Sequence, residues 1–178
     1  MASVHDDHRE APIVVMGVSG SGKTTVGLAL AARLGATFLD ADDLHSRENR
    51  AKMASGHPLN DEDRLPWLHE VGRHMKDAAS RGELTVVACS ALKRHYRDIL
   101  RTYVPDAPFV YLHGAPAVLA ARVQHRRHHF MPSSLLTSQL ADLEPLTDDE
   151  HGVTVDVARS VPEIVDEVVN FLTSLRHG

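Results

Sequence analysis

Short apolar runs alternate with longer amphipathic stretches along most of this chain. The apolar runs are rich in β-branched residues, which favours strands, and helical spacing follows most of them. The predicted strands are Ile13–Met16, Thr37–Leu39, Leu84–Ala88, Phe109–Leu112 and Val153–Val155. Because strands alternate with helices, the pattern predicts one α/β domain over residues 1–178, built from βαβ units around a parallel sheet.

The amphipathic stretches predict helices with recognisable ends. Gly35 follows the first helix, and Pro116 and Pro162 stand at helix starts, where a missing N–H costs little. The predicted helices are Lys23–Leu34, Leu65–Ser80, Leu92–Tyr103, Pro116–Gln124, Ser134–Leu143 and Pro162–Leu175.

Two polar stretches interrupt the alternation. Residues 41–80 begin with a charged segment broken by Gly56 and Pro58, and residues 126–133 are basic and rich in histidine. Insertions after strands of such folds lie over the ligand crevice. We therefore predict a substrate-binding insert at 41–80 and a lid at 126–133. Residues 1–10 are polar and predict a flexible tail.

Residues Gly17–Thr24 match the phosphate-binding pattern G-x-x-x-x-G-K-[ST]. The segment lies between a predicted strand and a predicted helix, which is the required setting. Its backbone N–H groups face phosphates, Lys23 neutralises the β and γ oxygens, and the Thr24 hydroxyl ligates Mg²⁺. The predicted nucleotide contacts are Gly17, Val18, Ser19, Gly20, Ser21, Gly22, Lys23, Thr24 and Thr25.

Asp40 and Asp42 follow the second predicted strand, and their spacing sends both side chains off one strand end. Phosphoryl transfer to a hydroxyl needs one carboxylate near Mg²⁺ and another that orients or deprotonates the acceptor. We predict that Asp40 helps to bind the metal and that Asp42 acts on the acceptor. The alternative is a solvated acidic turn that includes Asp43.

Several basic residues are candidates for anion binding. Arg64 has no capping role and can hold an anionic substrate group through two hydrogen bonds. Lys93 and Arg97 are four residues apart, and they either face the crevice or form an exposed basic stripe. Arg122 and Arg126 share a predicted helix face. They are interpreted as an adenine-stacking residue and a phosphate clamp, with a surface stripe as the alternative.

Other polar and aromatic residues near these segments have structural interpretations. Ser90 follows the third predicted strand, where a helix cap is expected, and Asn60 or Asp61 is predicted to cap the next helix. Trp67 either packs in the core or walls the pocket, and core packing is slightly favoured.

Composition excludes several classes of protein. The formal net charge of -5 gives no support for broad nucleic-acid binding. Cys89 is the only cysteine, which rules out an internal disulfide and fits a reducing cytosol. Apolar runs are too short to span a membrane, and the N-terminus lacks the pattern of a signal peptide. These features predict a cytoplasmic protein without a membrane or nucleic-acid partner.

Taken in order, the motifs resemble those of gluconate kinases of the small P-loop type. Pro58-Leu59-Asn60-Asp61 and Ser90-Ala91-Leu92-Lys93 together are more specific than the phosphate loop. Further matching segments are Met16–Thr24, Phe38–Asp42, Leu44-His45, Lys52–Gly56, Asp63-Arg64, Pro66–Leu68, Tyr96-Arg97, and Arg126 with His129-Phe130. The chain departs from the pattern at Ser46, where proline is common, and at His128, where glycine is common.

The resemblance implies a three-layer, shikimate- and adenylate-kinase-like P-loop fold, with five parallel strands and helices on both faces of the sheet. It also implies that ATP, with Mg²⁺, phosphorylates D-gluconate to 6-phosphogluconate in a cytoplasmic homodimer. On this interpretation, Arg64, Lys93 and Arg97 compete for the gluconate carboxylate. His45 hydrogen-bonds a sugar hydroxyl, and Arg126 closes over the phosphates with the lid.

Two alternative functions differ in their acceptor or their chemistry. One is a kinase for another small polar acid, such as shikimate. The other is a GTP-binding switch, since residues 149–152 match the pattern D-x-x-G. That match lacks a preceding apolar strand, and the chain has no Asn-Lys-x-Asp guanine motif.

Overall fold

The computed structural model describes residues 11–125 and 133–178. Five strands form one parallel sheet with the order β2-β3-β1-β4-β5. The strands are β1 (Ile13–Met16), β2 (Thr37–Asp40), β3 (Thr85–Ala88), β4 (Phe109–His113) and β5 (Gly152–Asp156). The helices are α1 (Lys23–Leu34), α2 (Arg47–Ala54), α3 (Asp61–Ser80), α4 (Arg94–Tyr103), α5 (Pro116–His125), α6 (Ser133–Asp142) and α7 (Val161–Arg176), and a 3₁₀ turn spans Ala41–Leu44.

The central strand β1 is buried along its whole length because neighbours flank it on both sides and helices cover both faces. Val14 pairs with Val87 of β3 and with Phe109 of β4. Asp40, the last residue of β2, pairs with Ala88. The carboxyl ends of β1, β2 and β3 therefore meet at one edge, which brings the loops that follow them together.

The predicted α/β architecture is confirmed, and every predicted strand agrees with the structure to within one residue at each end. The prediction for α3 starts too late: the helix begins at Asp61 rather than Leu65. Asn60 and Asp63 form a capping box, in which each side chain accepts a hydrogen bond from the other's backbone N–H.

Two further helix predictions need correction. Helix α2 was not predicted, and the Ser46 hydroxyl caps it by accepting from the Asn49 N–H. Helix α4 begins at Arg94 with Lys93 as its N-cap residue, so Ser90 does not cap it. Among the described residues, no helix is long and apolar enough to cross a membrane.

Candidate active site

The phosphate loop connects β1 to α1 and needs glycine for its backbone path. Gly22 caps α1 with φ of 98°, and Gly20 has φ of 80°. A Cβ on Gly20 would lie 2.8 Å from a methyl carbon of Val123. Lys23 Nζ lies 3.0 Å from the carbonyl oxygens of Gly17 and Val18, so the ammonium group is held over the loop.

Asp40 lies beside the start of α1, as its place at the end of β2 predicts. Its Oδ1 accepts from the Asp42 N–H at 3.0 Å, and its Oδ2 lies 3.5 Å from Thr24 Oγ1. Burial, followed by the charge of Asp42, raises the pKa of Asp40. The Asp42 side chain is 59% exposed and lines the same cleft. Carboxylate and hydroxyl oxygens are ligands that suit Mg²⁺, so Thr24 and Asp40 fit the metal that the motif implies.

His45 stacks on Trp67 in the wall of the cleft, with ring centroids 4.1 Å apart. The Trp67 indole N–H donates to the Ala41 carbonyl at 2.7 Å. Asn49 Nδ2 lies 3.4 Å from His45 Nδ1 and also donates to a backbone carbonyl. This assigns the acceptor role to Nδ1 and the proton to Nε2, which lies 4.0 Å from Asp42 Oδ1. Trp67 therefore has both predicted roles, in the core and in the pocket wall.

His45 is neutral at physiological pH. Burial, followed by the charges of Arg64 and Arg50, lowers the pKa of His45 to about 4. The ring therefore offers the cleft an uncharged N–H donor.

Arg64 enters the cleft from the first turns of α3, and its side chain is 8% exposed. Its Nη1 donates to the Tyr96 hydroxyl and to Asp142 Oδ2, both at 3.1 Å. The Tyr96 hydroxyl in turn donates to the Asp61 carboxylate. These partners hold the guanidinium in one orientation while it faces the cleft.

The prediction that Arg97 binds substrate is wrong. Its side chain is fully buried and forms a bidentate pair with Glu150, at 2.7 and 3.0 Å. The remaining donors reach backbone carbonyls, including those of Ala91 and Leu92. Arg97 therefore connects α4 to the segment before β5, and spacing alone gave no sign of that partner.

Lys93 and Arg97 do not share a helix face, because Lys93 precedes the helix as its N-cap residue. Lys93 Nζ lies 3.1 Å from Asp61 Oδ1, in a groove next to the cleft rather than in its lining. The D-x-x-G segment is also structural, since Asp149 pairs with Arg94 and Glu150 with Arg97.

A second groove lies on the other side of the phosphate loop, next to Gly22 and Thr25. Arg122 lines it and donates to the Val157 carbonyl at 2.7 Å. The role of Arg122 in binding adenine stays a prediction. Arg126 and the lid prediction at 126–133 fall outside the described residues, except for the start of α6.

The comparisons with known proteins agree with this geometry. A family model described as shikimate kinase matches residues 19–173. A probable gluconokinase from Xenopus tropicalis is 46% identical, over 88% of this chain and 90% of the relative. The thermosensitive gluconokinase of Escherichia coli K12 is 42% identical, over 93% and 89%. The chain belongs to the gluconokinase family. A solved gluconokinase from Sinorhizobium meliloti 1021 superposes with a TM-score of 0.84 at 50% identity, over 93% of each chain.

The cleft of this family member contains residues that the sequence did not identify as site residues. Met53 and Leu59 add apolar surface, and Ser90 lies at the carboxyl end of β3. The position of Ser90 just after a strand could have identified it as a site residue. Gln139 also lines the cleft, and its Oε1 accepts from the Ser19 N–H at 2.7 Å. No sequence signal pointed to Gln139, which is 120 residues from its partner.

Proposed function

We propose that this protein is a gluconokinase, which transfers the γ-phosphoryl group of ATP to D-gluconate and releases ADP and 6-phosphogluconate. The observation that carries the proposal is a single cleft that joins two kinds of site in a gluconokinase family member. Its floor is a phosphate loop, and its walls carry a carboxylate, a neutral histidine and an arginine.

On the nucleotide side, loop N–H groups and Lys23 bind the β- and γ-phosphates. The N-terminus of α1 adds its dipole to this anion site. Thr24 and Asp40 are the residues that would hold Mg²⁺, which when bound neutralises charge on the phosphates. Arg122 is proposed to contact adenine, and Arg126 is proposed to clamp the phosphates.

On the acceptor side, Asp42 orients the primary hydroxyl of gluconate and accepts its proton. The hydroxyl oxygen then forms a bond to the γ-phosphorus as the bond from that phosphorus to the bridging oxygen breaks. His45 donates its Nε2–H to a sugar hydroxyl. Arg64 binds the carboxylate, since it is the cation on the acceptor wall of the described cleft.

Other expectations rest on the family resemblance. We propose that residues 1–178 form one kinase domain, in which 41–80 bind the acceptor and 126–133 close as a lid. A homodimeric state and a cytoplasmic location stay predictions.

The test measures ADP release from ATP with gluconate, with shikimate and with neither. Gluconate-dependent release supports the proposal. Stimulation by shikimate instead would favour the same-class alternative, which the shikimate kinase model keeps relevant. Release that neither acid changes would contradict both kinase assignments.

The role of Asp42 is tested by Asp42→Asn. We expect kcat to fall by about a hundredfold or more while ATP affinity stays near that of the wild type, because a general base contributes about 10²–10⁴ in rate. Asp43→Asn is the matched control, since Asp43 is exposed and does not line the described cleft. Normal turnover of Asp42→Asn would refute its role as the base.

A further inference from the structure

Ser19 places its N–H on the acceptor side of the phosphate loop. It lines the cleft together with Asp42 and Arg64, whereas Ser21 and Thr25 line the groove on the other side. A triphosphate that crosses this loop from the second groove to the cleft ends near Ser19. The γ-phosphate, which is the group transferred, therefore belongs at this end.

In the described structure the Ser19 N–H already donates to a side-chain amide oxygen. Gln139 Oε1 lies 2.7 Å from the Ser19 nitrogen, which is a short hydrogen bond of the kind that a phosphate oxygen would make. One N–H cannot form strong hydrogen bonds to the amide oxygen and to a phosphate oxygen at once, and the two oxygens repel each other when they lie side by side. Binding of the γ-phosphate therefore forces the carboxamide of Gln139 to change its contact.

Rotation of that carboxamide is the simplest change. A half-turn exchanges Oε1 and Nε2, which are almost equal in size but opposite in hydrogen-bonding role. Within the described residues, Nε2 makes no hydrogen bond that the rotation would break. After the rotation, Nε2–H faces the position of the incoming oxygen.

Helix α6 keeps Gln139 within reach of the loop. Leu135 and Leu136 are buried, and Asp142, one turn further along the same face, pairs with Arg64 at 3.1 Å. The chain after the helix is fixed as well, since the Glu144 N–H donates to the Leu92 carbonyl at 2.8 Å.

We propose that Gln139 is a further substrate-contacting residue: its carboxamide satisfies the Ser19 N–H in the empty loop and donates to the γ-phosphoryl group when ATP is bound. The proposal rests on the proposed kinase function and adds a residue to its nucleotide site. It predicts that Gln139 contacts the γ-phosphate, which ATP has and ADP lacks.

The decisive variant is Gln139→Glu, which keeps the acceptor for Ser19 but replaces the donor with a negative charge. We expect the affinity for the β,γ-imido analogue of ATP, measured with Mg²⁺ by calorimetry, to fall about tenfold or more. The affinity for ADP should change less than about threefold. Loss of one donor to transferred charge typically costs about 10²–10³ in rate, so kcat should fall about a hundredfold.

Gln124→Glu is the matched control, because it makes the same change on α5 at an exposed position outside the described cleft. It should leave both affinities unchanged. Gln139→Leu removes donor and acceptor without adding charge, and it should also weaken the ATP analogue more than ADP. Circular dichroism and thermal unfolding establish that each variant is folded.

Equal weakening of both nucleotides, or no weakening of either, would overturn the proposal. Equal weakening would mean that Gln139 only supports the loop. Both nucleotide measurements are made without gluconate, so they decide this proposal even if the wild type fails to release ADP in response to gluconate. That failure would count against the proposed function alone.

Discussion

A buried neutral histidine makes the stability of this protein depend on pH. His45 has a pKa of about 4 in the folded state, against 6.5 for a free side chain. Below pH 6.5 the unfolded chain binds a proton that the folded protein excludes, so acid favours unfolding. The contribution of neutral His45 is complete above pH 6.5 and is lost as pH falls toward 4.

The size of this effect follows from the two pKa values. Between the free and the folded pKa, each pH unit costs about 1.4 kcal/mol per excluded proton. Between pH 7 and pH 5, the free energy of unfolding should therefore fall by about 2 kcal/mol through His45 alone. Asp42, 4.0 Å from Nε2, opposes this effect, but its side chain is largely exposed and screened by water.

The assay compares wild type and His45→Gln by urea unfolding at pH 7 and at pH 5. The variant is less stable at pH 7 because it loses the stacking on Trp67. Other groups that titrate are common to both proteins and cancel. The stability gap between the two proteins should therefore shrink by about 2 kcal/mol at pH 5.

A matched control is His177→Gln, since His177 is exposed at the C-cap of α7. Its stability should follow that of the wild type at both pH values. A gap between wild type and His45→Gln that is the same at pH 7 and pH 5 would refute the assignment of a buried, neutral ring.

Three further predictions concern stability. Arg97→Leu should lower the free energy of unfolding by about 3 kcal/mol, the low end for a broken buried pair, because buried Glu150 loses its bidentate partner and keeps Arg101 at 2.8 Å; an unchanged thermal midpoint would contradict this. Asn60→Ala should cost about 1 kcal/mol in urea unfolding through loss of the α3 cap, and no loss would show that the cap is unimportant. Gly72→Ala should cost about 1–3 kcal/mol, because a Cβ there would overlap the Tyr103 ring; calorimetry that finds equal or greater stability would rule out the overlap.

The sheet could be predicted because its strands are covered on both faces. Burial on both sides requires apolar residues without alternation, and the β-branched runs of β1 and β3 have that composition. Helix α2 could not be predicted in the same way. Asn49 is its one buried residue, so it has no apolar stripe. The Ser46 cap and the contacts of Asn49 and Lys52 with Asp63 of α3 stabilise it.

The site residues could be predicted where they belong to motifs that are contiguous in the sequence. The phosphate loop and the Asp40/Asp42 pair are contiguous motifs that follow strand ends, and both line the described cleft. Arg64 and Arg97 look equivalent in sequence, yet one faces the cleft and the other is fully buried against Glu150. Arg97 is buried because of a partner 53 residues away in the sequence, and residue spacing gives no sign of such a contact.

The fold by itself does not determine the acceptor, but the charges of the described cleft restrict it. Its cations are Lys23, which is proposed to bind the nucleotide, and Arg64, which Asp142 partly neutralises. An acceptor that carries a phosphate would need additional cations on this wall. His45 supplies an uncharged N–H instead. One arginine and a neutral donor suit a small acid with one carboxylate and several hydroxyls, a description that gluconate fits and a phosphorylated acceptor does not.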